Sequence, residues 1–111
     1  MAYSIKISLS QRLLMLIRDG NIARAYPVGV GKSATATPTG RYNIINKAYN
    51  PGGPYGAVWL GLNQPHYGIH GTNNPSSIGG AVSKGCIRMN NRDVIELASI
   101  VAIGTSVIIV N

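Results

Sequence analysis

The sequence predicts a mainly β domain, a sandwich or barrel-like sheet with one helix in the C-terminal region, at about residues 91–103. Two observations support this fold class: many short apolar runs are separated by turn residues, and a single segment has helical periodicity. The 111 residues suit one domain, which we assign to residues 1–111, and the 45% that are hydrophobic suffice for a core.

The N-terminal part predicts three strands, two of them in a hairpin. Residues 5–9 alternate between apolar and polar side chains, which is typical of a half-buried strand. The apolar segments 13–17 and 22–30 flank the pair Asp19-Gly20. Asp-Gly between two such segments predicts a tight turn, because glycine accepts the positive φ that the turn requires. Pro27 indicates an edge or a bulge in the returning strand.

The remaining strands are predicted from short apolar runs bounded by glycine, proline and asparagine. We expect them at residues 41–46, 57–62, 67–70, 86–89 and 107–110. The intervening loops, 48–56 and 72–83, are rich in these turn residues and in serine.

The predicted helix has recognisable ends. Asn90 or Asn91 can cap its N-terminus, and Asp93 and Glu96 place negative charge near the positive end of the helix dipole. Gly104 is expected to end it, since glycine favours the conformation that follows a helix.

The charge of the chain favours anionic partners. Ten Lys and Arg against three acidic residues give a formal net charge of +7. The basic residues are scattered, however, and aromatic side chains do not alternate with them as on a nucleic-acid stacking platform. We therefore expect no nucleic-acid partner. The first residues lack the apolar core of a signal peptide, and no stretch is long enough for a transmembrane helix.

One cysteine and two histidines carry the candidate chemistry. A cysteine attacks a carbonyl as the thiolate, and a nearby histidine can take its proton. His70 ends a predicted strand and precedes Gly71, which allows close approach, whereas His66 lies in a predicted turn. Gly85 can turn its N–H, with that of Cys86, toward a developing oxyanion.

Arg88 lies two residues beyond Cys86. In an extended segment the period of two places both side chains on one face, where a guanidinium can bind a carboxylate and favour the thiolate.

Other interpretations of these residues were weighed. A lone Cys or His is more often structural than catalytic. Gly31-Lys32-Ser33 resembles the end of a P-loop, but Tyr26 stands where that motif needs glycine, and no helix pattern follows. One Cys and two His do not match a metal site, so we expect no metal.

The motifs Ile69-His70-Gly71-Thr72 and Ser83-Lys84-Gly85-Cys86-Ile87-Arg88-Met89 resemble the signature of the L,D-transpeptidase (YkuD-type) catalytic-domain family. The upstream segments Tyr26–Lys32 and Thr37–Tyr42 also resemble that family, so the resemblance covers residues 3 to 110.

The resemblance implies a cofactor-free enzyme in which Cys86 attacks the carbonyl before the terminal D-residue of a peptidoglycan tetrapeptide stem. The resulting thioester would pass to a second stem, giving a 3→3 cross-link, or to water. His70 would be the base, oriented through its other ring nitrogen by a backbone carbonyl such as that of Gly71. Carbapenems would acylate the cysteine.

The resemblance also implies substrate-binding positions. These are Arg88, Ser83, Thr72 and Trp59, although Trp59 could equally pack in the core. Lys84 stands where many family members have a second histidine, which places the base role more heavily on His70. The implied location is the cell wall, the extracytoplasmic space or a spore. The alternative is a non-catalytic basic module that binds cell wall or nucleic acid.

Overall fold

Strands dominate the part of the chain described by the computed structural model, residues 2–32, 36–83 and 85–111. The strands are β1 Tyr3–Ser8, β2 Leu13–Arg18, β3 Asn21–Gly31, β4 Gly40–Tyr49, β5 Val58–Leu62, β6 Gly68–His70, β7 Ala81–Ser83, β8 Ile87–Met89 and β9 Ser106–Val110. One α-helix, α1 Asn91–Ile100, follows β8, and short 3-10 turns occupy Gly53–Tyr55 and Pro75–Ser77. The predicted mainly β fold class is confirmed.

The strands close into a barrel-like sheet. Their order is β2-β1-β9-β4-β5-β6-β8-β3, and β3 pairs with β2 to close the ring, while β7 adds to the far end of β3. Closure depends on two long strands: β3 pairs with β2 and then with β8, and β4 pairs with β9 and then with β5. Strands β3 and β4 therefore each pair with two neighbours in succession, which links the sheet on both sides of the barrel.

The predicted hairpin joins β2 to β3. Asp19 and Gly20 form its two-residue turn with φ of 49° and 86°, the positive values that the Asp-Gly pair suggested. The register of the hairpin shifts by one residue at Ala23, whereas Pro27 lies within the paired ladder. The irregularity expected at Pro27 is therefore located four residues earlier.

The interior of the barrel is filled by side chains that alternate inward along the strands. The largest fully buried ones include Ile5, Ile7, Leu14, Leu16, Ile44, Leu60, Ile69, Ile87 and Met89. Each such side chain contributes roughly 1.5–3 kcal/mol through burial. Helix α1 adds Val94, Leu97 and Ala98 to this core and packs against β5 and β6.

Helix α1 ends at Ile100, three residues before the predicted end at 103. Val101 is extended, with φ −90° and ψ 150°, which turns its side chain into the core. The ammonium of Lys47 donates to the carbonyls of Ala98, at 2.9 Å, and of Val101, so a cation from β4 caps this end. Lys47 is far from α1 in the chain, so the local pattern that predicted the helix could not show that this lysine binds its end.

The pairing of the short strands positions the candidate residues. β6 and β8 are parallel neighbours, with His70 opposite Arg88, and β5 lies antiparallel on the other side of β6, with Trp59 opposite His70. Cys86 comes just before β8. The register of three strands therefore gathers residues from separate parts of the chain at one edge of the sheet.

Candidate active site

Cys86 and His70 line one open cavity of about 710 Å³. Its wall also contains Lys32, Pro54, Tyr55, Gln64, Pro65, His66, Tyr67, Ser83 and Arg88. The volume is in the range of small-molecule and peptide-end sites. The structure thus brings together a thiol, an imidazole and two basic side chains, as sequence analysis predicted for three of them.

Cys86 is partly exposed, and its Sγ lies 3.5 Å from the carbonyl oxygen of His66. Burial raises the pKa of the thiol above its usual 9.0, while a backbone hydrogen bond from Gly68 and the charge of Arg88 act in the opposite direction. The thiol is therefore protonated near pH 7 and needs a base to become a nucleophile.

His70 is buried, with 3% of its surface exposed, and its Nδ1 lies 2.5 Å from the carbonyl oxygen of Gly71. A carbonyl only accepts, so in the neutral ring Nδ1 carries the proton and Nε2 is left as the acceptor. Burial lowers the pKa of His70 below 6.5, and the Gly71 carbonyl opposes this. The imidazole is thus neutral at pH 7 and able to accept a proton.

Two aromatic rings hold the imidazole. Trp59 stacks on His70 with centroids 5.5 Å apart and planes 16° apart, and Tyr55 meets both rings edge-on at 5.2–5.4 Å. Trp59 is half-buried and lines an adjoining cavity of about 430 Å³ with Tyr55 and His66. Trp59 does not line the main cavity, and the substrate contact expected for it stays a prediction.

The turn before Cys86 is held by hydroxyl groups. Ser83 Oγ donates to the Cys86 carbonyl at 2.6 Å and accepts the Gly85 N–H at 3.1 Å, while Thr37 Oγ1 donates to the Gly85 carbonyl at 2.7 Å. The Gly85 N–H, expected to face an oxyanion, is donated to Ser83 here, and its oxyanion role stays a prediction. Lys84, the position of the family's second histidine, lies outside the described residues.

Gly85 has a different function, which is steric. Its φ is +123°, and a Cβ there would lie 2.4 Å from Cε1 of Tyr67. Only glycine allows this turn to pass beneath the Tyr67 ring, which is part of the cavity wall.

Arg88 lines the same cavity as Cys86. Its Nε is buried and has no hydrogen-bond partner among the described residues. The guanidinium lowers the pKa of both Cys86 and His70 through its charge. A cation with unused hydrogen-bonding capacity beside a thiol suits an anionic group of a ligand.

Thr72 is not in the cavity wall, contrary to expectation. It is 2% exposed, and its Oγ1 accepts the Asn74 N–H at 3.0 Å. Its backbone N–H and carbonyl are bound by the side chain of Asn91, at 3.1 and 3.0 Å. The Thr72 side chain thus shapes its own loop, and the substrate-binding role that the resemblance implied stays a prediction.

Sequence analysis missed several lining residues. Lys32 belongs to the segment set aside as a P-loop fragment, and Gln64 and Pro65 lie in the turn before β6. Tyr67 was predicted as the start of a strand. For Lys32, the sequence shows only a basic residue after a glycine-rich segment, and this does not indicate which part of the surface the segment covers.

Metal ligands and membrane-spanning helices bear on the class of site. Within residues 2–32, 36–83 and 85–111, no three His, Cys, Asp or Glu side chains are grouped as metal ligands would be. In the same residues no helix has the length and apolar character needed to cross a bilayer.

Comparisons with known proteins agree with the geometry. The family model of the L,D-transpeptidase catalytic domain, YkuD, matches residues 2–109. The YkuD protein of Bacillus subtilis, whose name assigns it provisionally to the L,D-transpeptidases, is 60% identical over 107 residues. That match covers 96% of this chain but 65% of the relative, so the chain spans less than two thirds of its length.

Solved structures share the fold. The catalytic domain of an E. faecium L,D-transpeptidase superposes with a TM-score of 0.83 and 26% identity, over 97% of this chain and 96% of that one. L,D-transpeptidase 3 from Mycobacterium tuberculosis, in complex with a faropenem-derived adduct, gives a TM-score of 0.85 with 20% identity, over 99% of this chain and 60% of that one.

Proposed function

Because the chain belongs to the L,D-transpeptidase catalytic-domain family, we propose that it is a cysteine-dependent L,D-transpeptidase acting on the tetrapeptide stems of peptidoglycan. One observation carries the proposal: Cys86 and His70 line the same open cavity, and the Gly71 carbonyl holds the imidazole in the tautomer that a base requires. The alternative of a non-catalytic basic module gives no reason for this pairing.

The reaction begins with proton transfer. His70 Nε2 takes the proton of the Cys86 thiol as Sγ attacks the carbonyl carbon before the terminal D-residue. The C–S bond forms, the carbonyl oxygen becomes an oxyanion, and the C–N bond to the terminal residue then breaks. The proton on His70 passes to the departing amine, which leaves a thioester on Cys86.

The second half repeats these steps in reverse. An amine of another stem attacks the thioester and loses its proton to His70, and the Cys86 thiolate leaves and is reprotonated. The product is a 3→3 cross-link. Water in place of the amine gives hydrolysis, that is, L,D-carboxypeptidase activity. A substrate in the wall implies that the enzyme acts outside the cytoplasm or in a spore.

The charges of the site suit such a substrate. We assign the Cys86 N–H as a donor to the oxyanion, because the Gly85 N–H is bound to Ser83 in the free enzyme. Arg88, with its unpaired Nε, and Lys32 provide positive charge on the cavity wall for the carboxylates of the stem.

The test is incubation with purified tetrapeptide-bearing muropeptides, followed by mass spectrometry of the products. We expect loss of the terminal D-residue with or without dimer formation, no turnover by Cys86→Ala, and a drop of roughly 10²–10⁴-fold in His70→Ala. His66→Ala is the matched control, because His66 lines the same cavity but is exposed on a turn. We also expect imipenem to add its mass to the peptide that contains Cys86. Unchanged turnover in Cys86→Ala would refute the proposal.

A further inference from the structure

Asn91, the first residue of α1, is bound to the loop that follows His70. Its Oδ1 accepts the N–H groups of Ala57, at 3.0 Å, and of Thr72, at 3.1 Å. Its Nδ2 donates to the Thr72 carbonyl at 3.0 Å. The side-chain amide therefore uses both its ends, and its orientation is fixed by the pattern of donors and acceptors around it.

The Thr72 N–H and the Gly71 carbonyl belong to one peptide unit. That unit is planar, and in the trans form its N–H and C=O point in opposite directions. Asn91 thus holds one edge of the plane, and the His70 Nδ1–H donates to the other edge at 2.5 Å. Any rotation of this peptide would break both hydrogen bonds together.

Two glycines make room for the amide. A Cβ on Gly71 would lie 2.1 Å from Asn91 Oδ1, and a Cβ on Gly56 would lie 2.3 Å from the same atom. Real Cβ contacts are never this short, so neither position tolerates a side chain while Asn91 is in place. The glycine after His70 therefore admits Asn91 rather than a ligand.

We propose that Asn91 is a positioning residue for the base, acting through the Gly71–Thr72 peptide to hold the His70 ring with Nδ1 protonated and Nε2 as the acceptor. The inference rests on the proposed function, in which His70 is that base. Acceptance of the Thr72 N–H by Asn91 polarises the peptide and makes the Gly71 carbonyl a stronger acceptor, because hydrogen bonds in a chain strengthen one another. A stronger acceptor at Nδ1 favours the protonated imidazole that forms during catalysis.

A purely structural role makes different predictions. If Asn91 only joined α1 to the loop, its removal would lower the melting temperature and leave the chemistry of His70 and Cys86 as it was. If it positions the base, the tautomer of His70 and the pH dependence of Cys86 reactivity must change as well. Both properties are measured on the protein without any peptidoglycan substrate.

The experiment compares Asn91→Ala, Asn91→Asp and the control Asn90→Ala with the starting protein. Asn90 is at the N-cap position of α1 but its side chain makes no capping hydrogen bond. Asn90→Ala therefore changes the helix end while the hydrogen bonds of Asn91 to Ala57 and Thr72 stay in place. The readouts are the ¹⁵N shifts of the His70 ring and the rate of Cys86 alkylation by iodoacetamide across pH.

In Asn91→Ala we expect His70 to lose its single Nδ1–H tautomer, and the midpoint of Cys86 alkylation to rise by about one pH unit, a tenfold smaller thiolate fraction. Asn91→Asp keeps an oxygen for the Thr72 N–H and should retain the tautomer, which keeps the test decisive if the alanine variant does not fold. A lost tautomer in Asn91→Asp, or an unchanged tautomer and profile in a folded Asn91→Ala, would overturn the inference.

Failure of the proposed function has a separate signature. If His70→Ala alkylates with the same pH profile as the starting protein, His70 is not the base of Cys86. The ring shifts of the Asn91 variants would still show whether Asn91 sets the tautomer.

Discussion

Replacing Gly85 with alanine tests how the turn before Cys86 is built. The new Cβ would meet Cε1 of Tyr67 at 2.4 Å and two more atoms of that ring at 3.3 Å, and the backbone at position 85 has φ +123°. Two costs therefore arise at once: a backbone conformation that alanine avoids, and overlap with an aromatic ring in the cavity wall.

The two costs can be separated with Gly79→Ala. Gly79 has φ +88°, and a Cβ there has nothing within 4 Å, so this variant carries the backbone cost alone, about 1–3 kcal/mol. Overlap with Tyr67 adds about 1–3 kcal/mol, the usual cost of overpacking. At about 4 °C per kcal/mol for a chain of this size, Gly85→Ala should melt roughly 4–12 °C below Gly79→Ala.

Thermal unfolding by circular dichroism gives the stability difference, and iodoacetamide labelling below the melting range gives the reactivity of Cys86. We expect Gly85→Ala to change the labelling rate, because relief of the overlap moves Tyr67 or the turn that carries the thiol. Gly79→Ala should label like the starting protein. Equal melting temperatures and equal labelling rates in the two variants would refute the steric role assigned to Gly85.

Two other perturbations test the electrostatics of the fold. Burial lowers the pKa of His70 below 6.5 and raises that of Cys86 above 9.0. As the pH falls through 6.5, His70 is protonated in the unfolded chain before it is protonated in the folded chain, so the folded state loses stability. As the pH rises through 9.0, Cys86 loses its proton in the unfolded chain first, so the folded state again loses stability. The free energy of unfolding measured in urea should therefore fall below about pH 6.5 and above about pH 9.0. The fall should be less steep on the acid side in His70→Gln and on the alkaline side in Cys86→Ala. Slopes equal to those of the starting protein would contradict this. Lys47→Met removes the cation at the end of α1 and should cost about 1–2 kcal/mol in urea unfolding, whereas Lys6→Met, exposed on β1, should cost little; equal losses would show that the helix end does not depend on Lys47.

Local features of the fold could be predicted from the sequence because their causes are local. The Asp19-Gly20 turn follows from the φ values that glycine allows, and the inward alternation of Ile5 and Ile7 follows from the period of a strand. The period of two also predicted that Cys86 and Arg88 would lie near each other, and both line the same cavity. These features need no knowledge of what lies across the sheet.

Other features depend on distant partners and could not be predicted. The end of α1 depends on Lys47, which lies 51 residues before Ala98 in the chain. The Gly85 N–H looked free for an oxyanion, yet the Ser83 hydroxyl two residues earlier takes it. The role of Asn91 depends on a peptide 19 residues away. In each case the hydrogen-bonding group could bind several partners, and the folded structure determines which of them lies within reach.

Under the proposed function, the site holds its nucleophile as a neutral thiol in the same cavity as a neutral imidazole, and this follows from where the barrel places the two groups. Burial disfavours the charged form of both groups, so it raises the pKa of Cys86 and lowers that of His70. Arg88 favours the thiolate but opposes the imidazolium, so its two effects act in opposite directions on a proton that moves from Cys86 to His70. Under the proposed function the thiolate then forms as the substrate carbonyl is attacked, when negative charge passes from sulfur to the oxyanion. The hydrogen bond at Nδ1 favours the imidazolium without opposing the thiolate. The Gly71–Thr72 peptide that accepts this bond, and the Asn91 amide that holds the peptide, therefore favour transfer of the proton from Cys86 to His70.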